Sequence, residues 1–173
     1  MRSIGICVAV ACALIPQAAW ACDAIAGRGG ESPLHTRKPV VGDDVRLTSG
    51  FGMRRDPILN TRKLHAGIDW AAPIGTPVLA AAGGRVLFAG IEGELGRAVR
   101  IDHGAGWHTT YAHLTAFDVR EGDCVAPLSV IGKVGATGLT SGPKLHFEVH
   151  ENGQAIDPLA LSVKDSPPEA AGR

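Results

Sequence analysis

His65 and Asp69, four residues apart, and His146, far along the chain, are residue types from which a zinc site can be assembled. Two imidazoles and one carboxylate make three ligands and leave one tetrahedral position open. An open position separates a catalytic zinc from a structural one, because water held there becomes acidic enough to attack near neutral pH. The spacing of His65 and Asp69 gives them a shared face, by the helical period or by the even spacing of a strand. Gly67, Pro73 and Gly75 favour extended or looped backbone here over helix. His146 stands in an alternating run in which Lys144, His146, Glu148 and His150 share one face. Leu145, Phe147 and Val149 then point to a core, and the polar face lines a groove with His146 at its centre.

The other histidines read differently. His35 falls in a Gly- and Pro-rich stretch and is expected to be a tail residue. His103 belongs to Asp102-His103-Gly104-Ala105-Gly106, which reads as a turn. His108 and His150 are expected to face solvent from strands. His113 shares a strand face with Tyr111 and ends that strand at the edge of the groove.

The elements that must hold these residues are short strands. Candidate strands cover 76–80, 85–89, 98–102, 108–113, 128–132 and 145–150, separated by Gly83-Gly84, Gly93, Gly104, Gly106, Gly122-Asp123 and Gly138. Within the domain no stretch has a sustained helical period. The expectation is an all-β domain, a small antiparallel β-sandwich or partly open barrel with a groove over the metal-bearing sheet.

The ends bound the domain. Arg2, an apolar run over 4–15, and the small residues Ala19 and Ala21 read as an export signal over residues 1–21. The mature chain is then expected to begin at Cys22, in the periplasm or outside the cell. The apolar run is too short for a stable membrane span. Residues 22–44 read as a flexible N-terminal segment, 45–160 as the folded domain, and 161–173 as a disordered tail broken by Pro167-Pro168. The mature chain is long enough for one domain with a proper core. Net charge is zero and Lys and Arg are dispersed, which offers no footprint for nucleic acid. Cys7 and Cys12 leave with the signal. Cys22 and Cys124 form an even pair in an oxidising compartment, which favours a disulfide. A lipid on Cys22 is the alternative, with Trp20 standing where a lipoprotein signal has a small residue.

Six segments, in order, carry a resemblance. They are Ser49-Gly50-Phe51-Gly52-Met53-Arg54-Arg55-Asp56-Pro57, His65-Ala66-Gly67-Ile68-Asp69 and Ala72-Pro73-Ile74-Gly75-Thr76-Pro77-Val78. Then come Val99-Arg100-Ile101-Asp102-His103-Gly104-Ala105-Gly106, Tyr111-Ala112-His113-Leu114 and Ser141-Gly142-Pro143-Lys144-Leu145-His146-Phe147-Glu148. Together they resemble the lysostaphin-type (LytM-type) zinc metallopeptidases, which cut peptide cross-links in bacterial cell walls. The resemblance implies Zn²⁺ held by His65, Asp69 and His146, with His113 as a catalytic histidine. It implies a peptidoglycan peptide as substrate. Lys144 stands where the family has the first histidine of a His-x-His motif. A charged lysine donates hydrogen bonds but has no lone pair, so it can stabilise an oxyanion and cannot take a proton. The departure leaves three expectations: a zinc endopeptidase relying on His113, a slowed enzyme, or a catalytically impaired domain that binds cell wall or regulates another wall hydrolase.

Overall fold

The computed structural model describes Cys22, residues 32–55 and residues 62–161. The expected export signal, most of the first part of the N-terminal segment, and the tail beyond 161 lie outside the described residues. Among those described run β1 (Arg46–Ser49), β2 (Gly52–Arg55), β3 (Arg62–His65), β4 (Gly67–Ala71), β5 (Pro77–Leu79) and β6 (Gly84–Glu92). They continue with β7 (Gly96–Gly104), β8 (Trp107–Phe117), β9 (Cys124–Val125), β10 (Val130–Val134), β11 (Lys144–Glu151) and β12 (Gln154–Ile156). Two single 3-10 turns, Gly93–Leu95 and Pro158–Ala160, are the remaining regular elements.

Ten strands form one open sheet whose main path is β1-β4-β11-β8-β7-β6-β9, and β2 and β3 pair separately as a hairpin. Every pairing is antiparallel, in keeping with the all-β expectation. The alternation read for β11 holds, with Leu145, Phe147 and Val149 fully buried. Their partners in the core include Ile68, Val86, Val99, Ile101, Tyr111, Leu114 and Ile131. The Tyr111 and Phe147 rings pack tilted, with centroids 5.4 Å apart.

The central strand β8 changes partner along its length. Its first half pairs with β11 as far as Ala112. Its second half pairs with β10 from Leu114 onward. Between them stands His113, a non-glycine residue at φ 63°. Opposite it, the ladder with β7 slips by one residue between Val99↔Tyr111 and Arg97↔Leu114. This is a β-bulge, a device that bends a strand and re-aims a side chain.

Two expectations differ from the structure. Residues 22–44 were expected to be flexible, yet Leu34 and Val40 are in the core. Residues 35–40 run beside 78–81, with His35 N–H donating to Ala81 O and Leu79 N–H donating to Pro39 O. Leu34 and the Val40-Val41 pair stand among Pro, polar and charged residues without a period, so the sequence pattern does not announce their burial. His103 is not in a turn but lies within β7, 1% exposed, between Gly83 O at 2.8 Å and Thr109 Oγ1 at 2.7 Å. The glycines after it imitate a turn, but the pairing with β8 continues through Gly104, past a slip in register between Asp102 and Gly104. Cys22 and Cys124 are joined in a disulfide, as the even cysteine pair led us to expect. Among the described residues, no helix is long and apolar enough to cross a membrane.

Candidate metal centre

Register brings the three candidate ligands together. Asp69 on β4 stands directly opposite His146 on β11, and His65 ends β3 just before the chain enters β4. The close approach of β4 to β11 requires Gly67, where a Cβ would lie 2.2 Å from Phe147 O. The result is a buried cluster. His65 Nε2 is 3.2 Å from Asp69 Oδ1 and 3.1 Å from His146 Nδ1, and the last two atoms are 2.8 Å apart. These spacings are close to the about 3.3 Å edges of a tetrahedron with ~2.0 Å zinc bonds.

The outer nitrogens decide what the inner atoms are. His65 Nδ1 lies 2.6 Å from Gly50 O, and a carbonyl only accepts, so Nδ1 carries the hydrogen and Nε2 presents a lone pair. His146 Nε2 lies 2.9 Å from Glu148 Oε1. Burial works to raise the Glu148 pKa, but contacts with His146 and His150 outweigh it and lower it to about 2. Glu148 therefore accepts from Nε2, so that His146 Nδ1 presents a lone pair to the cluster once a metal ion displaces its proton. For Asp69, burial again opposes ionisation, and contacts with His146, His65 and Lys144 hold the carboxyl well below the usual carboxylate range. Three acceptors facing one another this closely repel unless a cation lies among them. The same field acts on a proton: burial lowers the His146 pKa, yet Asp69 and Glu148 raise it above the ordinary value. The donor set, with outer-shell oxygens fixing both rings, fits zinc.

His113 sits beside this cluster, its ring centroid 5.9 Å from that of His146. Its Nδ1 donates to Thr137 O at 2.8 Å. Thr137 is held in turn, its hydroxyl donating to Leu114 O and accepting from Arg97 N–H. The His113 Nε2 has no hydrogen-bond partner among the described residues. Burial, chiefly, lowers the His113 pKa to about 4, so the ring is neutral near pH 7 and Nε2 is an acceptor.

Lys144 reaches the second oxygen of Asp69, Nζ to Oδ2, at 2.9 Å. Arg54 approaches that oxygen at 3.7 Å. A cleft of about 180 Å³ holds His65, His113, Lys144 and His146 together with Arg54, Lys63, Glu94 and Glu148. All five residues singled out from sequence thus line or floor one site, with Asp69 beneath it. Sequence reasoning missed Gly50, Thr137 and Arg54. Arg54 lay inside a family-like segment without a role. The other two act through backbone carbonyls, which no residue type signals.

The chain belongs to peptidase family M23, whose model matches residues 63–158. It is 50% identical over 119 residues to the DD-carboxypeptidase/endopeptidase Mpg of Neisseria meningitidis serogroup B, covering 69% of this chain and 27% of that protein. The chain therefore spans only about a quarter of that relative's length. Among solved structures it is similar to a zinc containing peptidase from Vibrio cholerae, with a TM-score of 0.70, 32% identity, and 76% of this chain and 41% of that chain covered. The catalytic domain of lysostaphin from Staphylococcus simulans aligns with a TM-score of 0.61 and 30% identity over 68% of this chain and 91% of that one.

Proposed function

We propose that this chain is a zinc-dependent endopeptidase acting on peptide bonds of bacterial peptidoglycan, with His65, Asp69 and His146 as the metal ligands. The observation that carries this reading is the convergence of three lone-pair atoms within 3.2 Å of one another on the floor of an open cleft. Zinc, when bound, supplies Lewis-acid polarisation of the scissile carbonyl and of water. The chain supplies the rest. Gly50 O and Glu148 fix the ring tautomers, and Lys144 turns one Asp69 oxygen away from the cluster. His113 Nε2, neutral and unspent, accepts the proton of the attacking water and returns it to the departing amine. Export is part of the same reading, and a disulfide in the folded chain accords with an oxidising compartment.

Lys144 favours a second reading. In place of a second neutral base there is a cation, which donates but does not accept. A domain so altered would bind wall peptides, or regulate another wall hydrolase, without rapid turnover. Digestion of purified sacculi by the zinc-loaded protein separates the two, with bound zinc counted in each variant. The peptidase reading expects soluble peptide release from the parent, faster release from Lys144→His, and loss of both zinc and release in His146→Ala. If parent and Lys144→His are inert at one zinc per chain, the binding reading stands instead.

A further inference from the structure

The hairpin flanking the metal cluster breaks a rule of strand pairing. Arg54 on β2 stands directly opposite Lys63 on β3, and Arg55 directly opposite Arg62. Like charges in that relation repel and destabilise a two-stranded ribbon. Arg54 and Lys63 both line the cleft, and Lys144 lines it from β11. The Arg54–Lys63 pair sets this conflict at one wall of the groove, and a local conflict of this kind marks a place shaped by what it binds.

The acidic partners within the cleft do not match these cations. Lys63 is paired with Glu94. The Glu148 carboxylate is taken by His146 through one oxygen and by His150 through the other. That leaves Asp69, whose Oδ1 belongs to the ligand cluster and whose Oδ2 faces both Lys144 at 2.9 Å and Arg54 at 3.7 Å. One carboxylate oxygen thus confronts two cationic heads. The Arg54 contact is longer than a hydrogen bond, and it is the only polar contact of that guanidinium among the described residues. Its side chain is 34% exposed and that of Lys144 17%. Since both heads approach the same oxygen, a single incoming carboxylate can reach both.

Resting on the peptidase reading, we propose that Arg54 and Lys144 form a carboxylate-binding subsite. The amide placed over the metal cluster is then one whose neighbouring residue bears a free carboxylate. A planar guanidinium fork matches a carboxylate in two parallel hydrogen bonds, and Lys144 has donors beyond the one it gives Asp69. Two sources carry this chemistry within wall peptides: a free C-terminal amino acid, and an internal diamino acid whose own α-carboxylate stays free. Each needs a cation beside the scissile amide. The subsite sets specificity, whereas His113 and the metal ligands carry out the cleavage.

The test compares kcat/KM of the zinc-loaded protein on paired substrates. One pair is diacetyl-L-lysyl-D-alanyl-D-alanine and its C-terminal carboxamide. The other is a cross-linked tetrapeptide dimer with the diamino acid carboxylate free or amidated. The expected result is a preference for the acid of about tenfold or more in at least one pair, the size of a charged hydrogen bond. The pair showing it identifies the source. The preference shrinks to within about threefold in Arg54→Gln and in Lys144→Met, and Arg54→Lys keeps part of it. Equal kcat/KM for acid and amide in both pairs overturns the subsite, as does a preference that survives Arg54→Gln. If nothing is cut, the peptidase reading fails separately, and calorimetric binding of the same peptides decides the subsite. Tighter binding of an acid, lost in Arg54→Gln, supports it, and equal binding of acid and amide ends it.

Discussion

At the scale of single residues, the two deeply placed histidines outside the candidate metal cluster show how position alone divides chemistry. His113 and His103 are both buried, and burial lowers both pKa values to about 4. His113 keeps one nitrogen unspent toward the cleft. His103 spends both, Nδ1 donating to Gly83 O and Nε2 accepting from the Thr109 hydroxyl, which lies 3.0 Å from the Tyr111 hydroxyl. His103 is therefore a structural group with a pH-dependent cost. Its folded pKa lies below its unfolded value of 6.5, so between the two the unfolded chain binds the proton and the folded chain does not. Its contribution is fully present above about pH 6.5 and is lost as pH falls toward about 4, by at most on the order of 3 kcal/mol. Urea unfolding of the zinc-free protein at pH 7 and pH 5 checks this. We expect the parent to lose more stability than His103→Gln over that interval. Parallel losses would show that the His103 proton is irrelevant to folding.

At the scale of elements, the site is a matter of two strand relations. The first is the close approach of β4 to β11, which sets Asp69 across from His146. Gly67 permits it because its missing side chain leaves room for Phe147 O. Gly67→Ala forces the strands apart at the level of the candidate ligands. Overpacking of this kind costs roughly 1–3 kcal/mol, and more where backbone must move. The expected outcome is a lower urea midpoint together with zinc stoichiometry well below that of the parent, measured on the same preparation. Unchanged zinc content at reduced stability would separate the glycine's packing role from the metal cluster. The second relation is the bulge in β8. Simple alternation from Tyr111 places His113 on the same face and at the strand's end. In the structure β8 continues to Phe117, and the break at His113 is where it trades β11 for β10. The residue was legible from its neighbours, whereas the bend that aims it depends on pairing with three other strands.

At the scale of the whole molecule, the disulfide ties the start of the described chain to β9 across a sequence separation of 102 residues. Closing so long a loop restricts the unfolded chain strongly, and removing such a bond typically costs about 2–4 kcal/mol. Cys22→Ser should lower the urea midpoint by that order while leaving zinc content near one per chain, because neither cysteine lines the cleft. An unchanged midpoint would mean that the segment at 32–40 docks without the bond. That segment is itself the clearest gap between sequence and fold. Leu34 and Val40 join the core, yet Leu34 and the Val40-Val41 pair, set among Pro, polar and charged residues, show no period that forecasts it.

The chemical inventory was determined by the sequence alone: two histidines and an aspartate for the cluster, a lysine beside the third, and alternating strands to present them. Those features are local, since residue type and a period of two survive without knowledge of partners. Only the tertiary structure decided that Asp69 faces His146, that backbone carbonyls at Gly50 and Thr137 orient two rings, and that Arg54 joins Lys144 over one carboxylate oxygen. Each of these is a register between segments remote in the chain. Register is selected by the burial of a whole face at once, so no short stretch of sequence encodes it.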